Sequence, residues 1–329
     1  MGELTIARRG GPHPTFAFPL HSRSAAVDFL APAGYVDQDP AFPDQLLDFA
    51  CGERTYDLAN GYNHRGNDFA LWPYWWHQMD SEDVEVRAMA AGQVIDKRDG
   101  EFDRQCTFND DPTNFVAIQH ADGSVTLYFH LKNGSVTEFA VGRAVVTGEY
   151  LGLVGSSGSS VIPHLHIETY YPGAPEQLIE PFAGTCNALN GFDGWWDQQP
   201  PYMDKRINQL STHDVAPSAE VVYATCQTEQ DPHYANSFDP GQPVWMALYF
   251  RDLEAGDSTS IELRDPDAAL IWSDTFVADE TRETSWAAWE WSGSLLSLEG
   301  DYQVTAQLLG QVLSHNFEVG PLFRDGFNP

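Results

Sequence analysis

Short β-forming runs separated by turn residues are the feature that most constrains the fold of this chain. Between residues 84 and 171 these runs are VEVRAMAAGQVIDKR, TNFVAIQHADGSVTLYFHL, AVVTGEYLGLVG and PHLHIETYY. The second run places Asp122-Gly123 between two β-forming halves, which is the strongest short-range signal for a hairpin. No helical period of four turns occurs between residues 80 and 171, so a doubly wound α/β domain is disfavoured. The pattern predicts an antiparallel β-sheet domain.

A second series of β-forming runs follows Pro217: AEVVYATC, PVWMALYF, TSIELRD, ALIWSDTF, SWAAWEWSG, DYQVTAQLL and SHNFEV. About seven short strands with Gly, Pro and Asp turns between them predict an immunoglobulin-like β-sandwich. A length of 329 residues suggests two domains at roughly 150 residues each. The predicted fold class is therefore mainly β. The predicted boundaries are an extended arm at 1–45, the antiparallel domain at 46–185, a linker at 186–215, the sandwich at 216–322 and a tail at 323–329.

Composition excludes several classes of protein. Hydrophobic residues make up 42% of the chain and aromatic residues 13%, which is enough apolar surface for a core and argues against disorder. The net charge of −31 comes without any Lys/Arg cluster, which argues against a nucleic-acid partner. No apolar run approaches the roughly 20 residues of a membrane span, and the N-terminus MGELTIARRGG lacks the apolar core of a signal peptide. A trimmed signal would leave the same sequence.

The four cysteines, Cys51, Cys106, Cys186 and Cys226, include no C-x-x-C pair. A cysteine-based zinc site or a thioredoxin-type centre is therefore disfavoured. Two disulfides or four buried thiols remain open. Pairing Cys51 with Cys106 and Cys186 with Cys226 would join sequence neighbours, provided that the compartment is oxidising.

Five polar residues of the first domain form the pattern that carries chemistry: His64, Asp68, His130, His164 and His166. In the β-run PHLHIE, His164 and His166 project to one side of the strand while Leu165 faces the other. The segment NHRGND holds turn-forming residues between His64 and Asp68, so it is interpreted as a loop. Two imidazoles and a carboxylate with one vacant position suit a catalytic Zn²⁺, although each motif alone is weak.

The sequence around these residues resembles the lysostaphin-type zinc endopeptidases, also called LytM-like or β-lytic metallopeptidases. The segments HRGNDFA, VRAMAAGQV, VAIQHADGSVTLYFHL and VVTGEYLGLVGSSGSSVIPHLHIE carry the family's motifs in the family's order. The resemblance runs from about residue 62 to 168, roughly a third of the chain. It implies that the antiparallel domain is a LytM-like metallopeptidase domain.

The resemblance also implies roles for individual residues. His64, Asp68 and His166 match the three protein ligands of one Zn²⁺ per chain, with water in the fourth position. His130 and His164 match the two histidines that lie beside that water and assist catalysis. His120 matches an ordinary strand position and is expected to be structural.

The chain departs from the family pattern in two places. Ser160-Val161-Ile162-Pro163 stands where the family commonly has Ser-Thr-Gly before the proline, so the adjacent substrate wall is expected to differ. An insertion at about 99–114 interrupts the strand region and carries Cys106. Neither change falls on a ligand position.

Several other features have rival interpretations. The run GSSGSS at 155–160 fits neither a serine nucleophile elbow nor a phosphate-binding loop, and a strand-connecting turn is preferred. The H-x-H of a cupin would require a Glu a few residues later and another His downstream, which Glu168 and His213 do not match. Glu168 and Asn63 are candidates to support the ligands from behind. His77 and His213 are expected on the surface.

Two groups of tryptophans are also ambiguous. Trp72, Trp75 and Trp76 are expected either to line a substrate groove or to pack in the core. Trp286, Trp289 and Trp291 are expected to fill the core of the sandwich, with sugar binding as the alternative.

The expected function is a zinc metalloendopeptidase that hydrolyses cross-link or stem peptides of bacterial peptidoglycan and that is secreted, periplasmic or part of the cell envelope. The alternatives are a non-catalytic LytM-like protein that binds wall or activates hydrolases, and a protein whose sandwich is the adhesive part. A monomer is favoured, without nucleic acid or a membrane span. No Lys or Arg occurs between Arg143 and Lys205, so we expect the substrate to bind by groove fit and not by charge attraction to anionic wall polymers.

Overall fold

The computed structural model describes residues 12–24, 28–174, 176–224 and 229–320, and within them the protein is mainly β, as predicted. The strands of the first domain are β1 Leu20–Ser22, β2 Leu30–Gly34, β3 Asn67–Leu71, β4 Val84–Arg87, β5 Gly92–Arg98, β6 Phe115–Gln119, β7 Val125–Phe129, β8 Ala144–Val145, β9 Tyr150–Leu153, β10 His164–Tyr171 and β11 Gln177–Ile179. Those of the second domain are β12 Arg206–His213, β13 Ser237–Phe238, β14 Val244–Leu253, β15 Ser258–Arg264, β16 Leu270–Val277, β17 Arg282–Trp291, β18 Gly300–Leu308 and β19 Gln311–Val319. The helices are α1 Trp75–Ser81, α2 Ala219–Val222 and a 3₁₀ turn at Gly293–Leu296.

The first domain is built on an antiparallel sheet in the order β2-β3-β10-β7-β6-β5-β8, with β11 beside β10. The hairpin predicted at Asp122-Gly123 joins β6 to β7. A smaller sheet, β1-β4-β9, covers it. On β10, Leu165 and Ile167 face the core while the alternate residues His164 and His166 face the opposite side. The central strand therefore presents both histidines on one surface.

The segment predicted as an extended arm contributes strands to both sheets. Leu20–Ser22 pairs with β4, Leu30–Gly34 pairs with β3, and Phe16 forms a bridge with Trp196. Residues 1–11 and 25–27 of that segment lie outside the described residues. The arm is thus part of the domain, because its short apolar stretches complete sheet edges that would otherwise stay open.

The second domain is a sandwich of two sheets, β12-β14-β17 and β13-β19-β18-β15-β16. All pairings are antiparallel among the described strands except β13 with β19. Strand Arg206–His213 lies inside the segment predicted as a linker, 186–215, and pairs with β14. The sandwich therefore begins before Pro217, because the Pro- and Gln-rich sequence just upstream hides the strand pattern that starts at Arg206.

A buried aromatic interface joins the two domains. Trp72 Nε1 donates to the carbonyl of Phe250 at 3.0 Å, and the hydroxyls of Tyr74 and Tyr249 lie 2.5 Å apart. Trp75 and Trp76 both donate from Nε1 to the carbonyl of Ala224. The tryptophans that follow Asp68 therefore pack at the interface and in the core, and not along a substrate groove.

The tryptophans of β17 divide between the interface and the sandwich core. Trp291 is buried in the sandwich, and Trp289 packs against that core while its Nε1 donates to Asp274 at 2.8 Å. Trp286 packs on the domain interface. The expectation of core packing thus describes Trp291 best.

Cys51 and Cys186 form a disulfide, so the predicted pairing of Cys51 with Cys106 and of Cys186 with Cys226 is wrong. The chain returns to bring the two segments together, and the amide of Cys186 donates to the carbonyl of Phe49 at 2.9 Å. Cys106 is disulfide-bonded as well, and Cys226 lies outside the described residues. Proximity in sequence failed as a guide because sheet pairing decides which loops meet.

His213 was expected on the surface, but it is fully buried in β12. Its Nδ1 donates to the carbonyl of Pro232 at 2.8 Å and its Nε2 lies 2.9 Å from the Ser211 hydroxyl. His77 is half-buried against the ring of Tyr234. Among the described residues, neither helix has the length and apolarity that crossing a membrane requires.

Candidate metal centre and active site

Neighbouring strands bring two of the candidate ligands together. Strands β3 and β10 pair antiparallel, and their register places Asp68 directly opposite His166. His64, in the loop before β3, reaches the same point. The distances are 2.8 Å from Asp68 Oδ1 to His166 Nδ1, 3.2 Å from Asp68 Oδ2 to His64 Nε2, and 3.2 Å between the two imidazole nitrogens. All three side chains are buried.

Hydrogen bonds on the far sides of the rings determine which nitrogen faces the centre. His64 Nδ1 lies 2.7 Å from the carbonyl of Tyr35, which can only accept, so this nitrogen carries the proton. His166 Nε2 faces the carboxylate of Glu168 at 3.4 Å. The nitrogens turned toward Asp68, His64 Nε2 and His166 Nδ1, are therefore the atoms that would bind a metal ion, and outer partners orient both rings as they do in metal-binding histidines.

The arrangement fits a zinc ion. Two imidazole nitrogens and a carboxylate, all buried, converge on one point, and such groups are stable away from water only when a shared proton or cation joins them. A tetrahedral site with bonds of about 2.0 Å separates its ligands by about 3.3 Å, close to the distances found here. A nitrogen and carboxylate donor set of this kind suits Zn²⁺.

The pKa values of the cluster also indicate that positive charge is favourable beside Asp68. Burial alone would lower the pKa of His166, but Asp68 and then Glu168 outweigh it and raise that pKa to about 10. Burial would raise the pKa of Asp68, but His64, His164 and His166 hold it well below its ordinary value. Positive charge on the histidines therefore compensates the buried carboxylate of Asp68, and a metal ion bound there would supply the same compensation.

His130 and His164 form a second group that shares His166, with ligand atoms within 4.8 Å of one another. His130 Nδ1 donates to the carbonyl of Ser157 at 2.6 Å, and His164 Nδ1 donates to the carbonyl of Ile162 at 2.7 Å. The Nε2 atom of each ring is therefore the one left able to accept a proton. Burial lowers both pKa values, that of His130 well below 6.5 with a further contribution from the neighbouring histidines, so both rings are neutral at pH 7.

His130 also has an uncommon backbone conformation. Its φ of 62° lies in the left-handed region, which is unfavourable for a residue with a side chain. Its amide donates to the Thr113 hydroxyl at 3.2 Å. Such strain persists where surrounding contacts impose it, and it is common at functional sites.

The serine run at 155–160 is a scaffold for these two histidines. Ser156, Ser157 and Ser160 are buried. The Ser157 hydroxyl donates to the carbonyl of Leu131 at 2.9 Å, and the Ser160 hydroxyl lies 3.3 Å from His164 Nδ1. These hydroxyls are committed to structural hydrogen bonds, which agrees with the preferred interpretation of the run as a turn.

A groove of about 520 Å³ opens over the cluster. Its floor includes Phe129, His130 and His166, and no Lys or Arg is among its lining residues. The remaining lining residues are Tyr56, Leu58, Asn60, Tyr62, Phe108, Asn109, Asp110, Asp111, Thr113, Ser159 and Glu168. The insertion at 99–114 thus leaves the ligands untouched but supplies one wall of the groove.

Two functional neighbours of His64 were missed from the sequence. Tyr56 stacks on the imidazole with ring centroids 4.2 Å apart, and its pKa is raised by burial and by the charge of Asp68. Tyr35 supplies the carbonyl that orients His64. Backbone carbonyls carry no residue-type signal, so Tyr35 could not have been found, whereas Tyr56 belongs to an aromatic pair with Tyr62 just before the motif.

Three further residues considered in the sequence analysis differ in their position relative to the cluster. Glu168 contacts His166, as expected of a supporting residue. Asn63 donates instead to the carbonyl of Asp39, and among the described residues it makes no hydrogen bond to His64, Asp68 or His166. His120 lies outside the cluster, with Nδ1 2.9 Å from the carbonyl of Ala91 and Nε2 2.8 Å from the Thr126 hydroxyl.

Comparison with known families confirms the resemblance predicted from the motifs. Residues 75–178, about a third of the chain, match the model of Peptidase family M23. The matched range contains His130, His164 and His166 but begins after His64 and Asp68. The chain is thus similar to this peptidase family over the sheet that carries the cluster.

Individual relatives align over the same part of the chain. The DD-carboxypeptidase/endopeptidase Mpg of Neisseria meningitidis serogroup B is 47% identical over 126 residues, which are 38% of this chain and 24% of that protein. The peptidoglycan DD-endopeptidase ShyA of Vibrio cholerae is 36% identical over 67 residues, 20% of this chain and 15% of that protein. The chain spans about a quarter or less of the length of the curated relatives it matches.

Among solved structures, the catalytic domain of lysostaphin from Staphylococcus simulans aligns with 23% identity and a TM-score of 0.28. The alignment covers 39% of this chain and 83% of that domain. A TM-score this low carries no argument about function.

Proposed function

We propose that this protein is a zinc-dependent endopeptidase that hydrolyses peptide bonds of bacterial peptidoglycan, in its cross-links or stem peptides. The observation that carries the proposal is the convergence of two imidazole nitrogens and a carboxylate, from His64, Asp68 and His166, at 2.8–3.2 Å, with each ring oriented by a hydrogen-bond partner on its far side. The similarity to peptidases of known relatives supports it.

One Zn²⁺ per chain would be held by His64, Asp68 and His166. A zinc ion in such a site supplies Lewis acidity, which polarises a substrate carbonyl and lowers the pKa of water.

His130 and His164 supply the proton transfers. Both are neutral at pH 7, and in both the Nε2 atom can accept a proton, as a general base requires. Hydrolysis consumes one water: its oxygen becomes part of the new carboxyl group, and its first proton is taken up at Nε2 and passed to the leaving nitrogen as the C–N bond breaks. The second proton leaves the carboxyl group for the released amine, which gives a carboxylate and an ammonium group. Both rings lie within reach of the same cluster, so either histidine can accept the proton or return it.

The principal alternative is a non-catalytic LytM-like protein that binds wall or activates hydrolases. Loss of catalysis removes the need to keep the ligands and the two histidines. Here all five side chains are present, buried and close together, which favours the enzyme.

We further propose that the protein acts outside the cytoplasm, in the secreted, periplasmic or cell-envelope space, as a monomer. The Cys51–Cys186 disulfide supports an oxidising compartment, and peptidoglycan, the proposed substrate, lies outside the cytoplasmic membrane.

The test combines zinc analysis of the purified protein with digestion of purified peptidoglycan and mass-spectrometric identification of the products. We expect one zinc per chain and new peptide termini, both lost in His166→Ala. His233→Ala, at an exposed position of the second domain, is the control and should behave as the unsubstituted protein. Sub-stoichiometric zinc together with intact wall would sink the proposal, and the product masses identify the bond.

A further inference from the structure

The orientation of His64 depends on the backbone carbonyl of Tyr35. Arg54 and Thr55 form hydrogen bonds to the amide and to the carbonyl of Tyr35. The carbonyl of Tyr35 accepts from His64 Nδ1 at 2.7 Å and from the Thr55 hydroxyl at 2.7 Å. The amide of Tyr35 donates to the carbonyl of Arg54 at 2.9 Å. A shift of Arg54 therefore moves the group that orients His64.

The second domain holds the side chain of Arg54. Its Nη2 lies 2.5 Å from Asp252 Oδ1 and its Nε lies 3.2 Å from Glu283 Oε1, and both acids belong to the sandwich. The Arg54 side chain is 5% exposed and that of Asp252 is 0% exposed. Nη1 also donates to the carbonyl of Tyr202 at 2.9 Å. Such a buried pair is strongly destabilised when one partner is removed, so the geometry of Arg54 is tied to Asp252.

Asp252 is itself held in place. Its second carboxylate oxygen accepts from the amide of Asp204 at 2.9 Å. Its φ of 55° lies in the left-handed region, an unfavourable conformation for a residue with a side chain. Asp252, the sandwich residue that pairs with Arg54 across the interface, therefore has an unfavourable backbone conformation.

We propose that Asp252 is a positioning residue for His64, acting across the domain interface through Arg54 and the backbone of Tyr35. The sandwich is therefore a structural part of the metal site and not an independent targeting module. The expected effect of Asp252 on zinc binding rests on the proposed function. The coupling of Asp252 to the hydrogen bond of His64 does not depend on it.

The test is Asp252→Asn in the full chain, with two measurements. In the metal-free protein, the Nδ1 proton of His64 is observed by NMR, and we expect it to exchange with water at least about tenfold faster in the variant because its acceptor is displaced. Zinc affinity is then measured by chelator competition, and we expect a loss of about tenfold or more, as for other changes behind a metal ligand.

The matched control is Tyr74→Phe. The hydroxyls of Tyr74 and Tyr249 bond across the same interface at 2.5 Å, and among the described residues the Tyr74 hydroxyl makes no hydrogen bond to Arg54, Tyr35 or Asp252. This variant should lower the melting temperature without changing the exchange of the His64 proton or the zinc affinity. Equal effects of the two variants, or an unchanged His64 proton in Asp252→Asn, would overturn the inference.

If Asp252→Asn does not fold, Glu283→Gln decides by the same criteria, because Glu283 is half-exposed and contacts the same arginine. A smaller change in the same direction, about two- to fivefold, is expected there. If the unsubstituted protein binds no zinc, the proposed function fails, while the His64 proton still tests the coupling.

Discussion

Gly66 lets the two ligand-bearing segments approach each other. A Cβ atom at this position would lie 2.6 Å from His166 Nε2 and 2.5 Å from the carbonyl oxygen of Ile167. Both distances are shorter than any real contact, so the ring or the strand would have to move. The glycine of the H-x-G-x-D motif is therefore required by its packing against His166, a proposed ligand, and not by an unusual φ.

Gly66→Ala is expected to lower zinc affinity by about tenfold or more, because the displaced His166 ring no longer points its Nδ1 at the centre. Isothermal titration with Zn²⁺ measures this. Gly320→Ala is the control, since the nearest atom to its Cβ lies 3.7 Å away. Unchanged affinity in Gly66→Ala would show that the clash is relieved without moving the ligand.

His130→Ala should separate catalysis from metal binding. The residue is not among the three proposed ligands, so zinc stoichiometry should stay at one per chain, while the hydrolysis rate should fall by about 10²- to 10⁴-fold through loss of proton transfer. Zinc analysis beside a peptidoglycan digestion assay checks both. A loss of zinc in this variant would mean that His130 is a ligand.

At the scale of elements, the pairing of β3 with β10 creates the centre. The register sets Asp68 opposite His166, and a slip of one residue in either strand would turn that strand's side chain to the other face. The alternation on PHLHIE is readable in the sequence, but the partner of that strand is not. The family motifs predict the ligands because they encode the result of this pairing.

Strand β12 carries the one buried histidine of the second domain for which a clear pH effect is expected. Burial lowers the pKa of His213 to about 4 from its ordinary 6.5. As pH falls below 6.5, the unfolded chain takes up this proton before the folded protein does, so the free energy of unfolding decreases down to about pH 4. Between pH 6.5 and pH 4 this difference in pKa lowers the free energy of unfolding by about 3 kcal/mol in total.

Urea unfolding of the metal-free protein and of His213→Gln at several pH values between 7.5 and 4 tests this expectation. The other buried histidines are common to both proteins, so the difference between the two curves isolates His213. His213→Gln should be less stable at pH 7.5 but should lose less stability on acidification. Parallel curves would contradict the assignment.

At the scale of the whole molecule, one disulfide closes most of the first domain. Cys51 and Cys186 are 135 residues apart in sequence. A cross-link over so long a loop restricts the unfolded chain strongly, so Cys51→Ser/Cys186→Ser should lower the free energy of unfolding by about 2–5 kcal/mol. Urea titration under non-reducing conditions measures it, and an unchanged midpoint would argue that the bridge contributes nothing to stability.

The distribution of charge is also a property of the whole molecule. The groove is lined by Asp110, Asp111 and Glu168 without Lys or Arg, and the chain has a net charge of −31. Binding to purified cell wall should therefore change less than about threefold between low and moderate salt, because the groove offers no Lys or Arg to attract anionic polymers. Strong binding at low salt that moderate salt abolishes would contradict recognition by groove fit.

The sequence alone determined the features that depend on local pattern. Alternating β-runs and turn signals predicted two β domains, and the resemblance of the motifs to a known family predicted His64, Asp68, His130, His164 and His166 as site residues, because strand periodicity and short loops act over a few residues. The tertiary structure decided everything that depends on which distant segments meet. It paired Cys51 with Cys186, buried His213 and placed Trp72 in the interface between the two domains. It also brought Asp252 to Arg54, since contacts of this kind are set by sheet order and domain packing and leave no trace in local sequence.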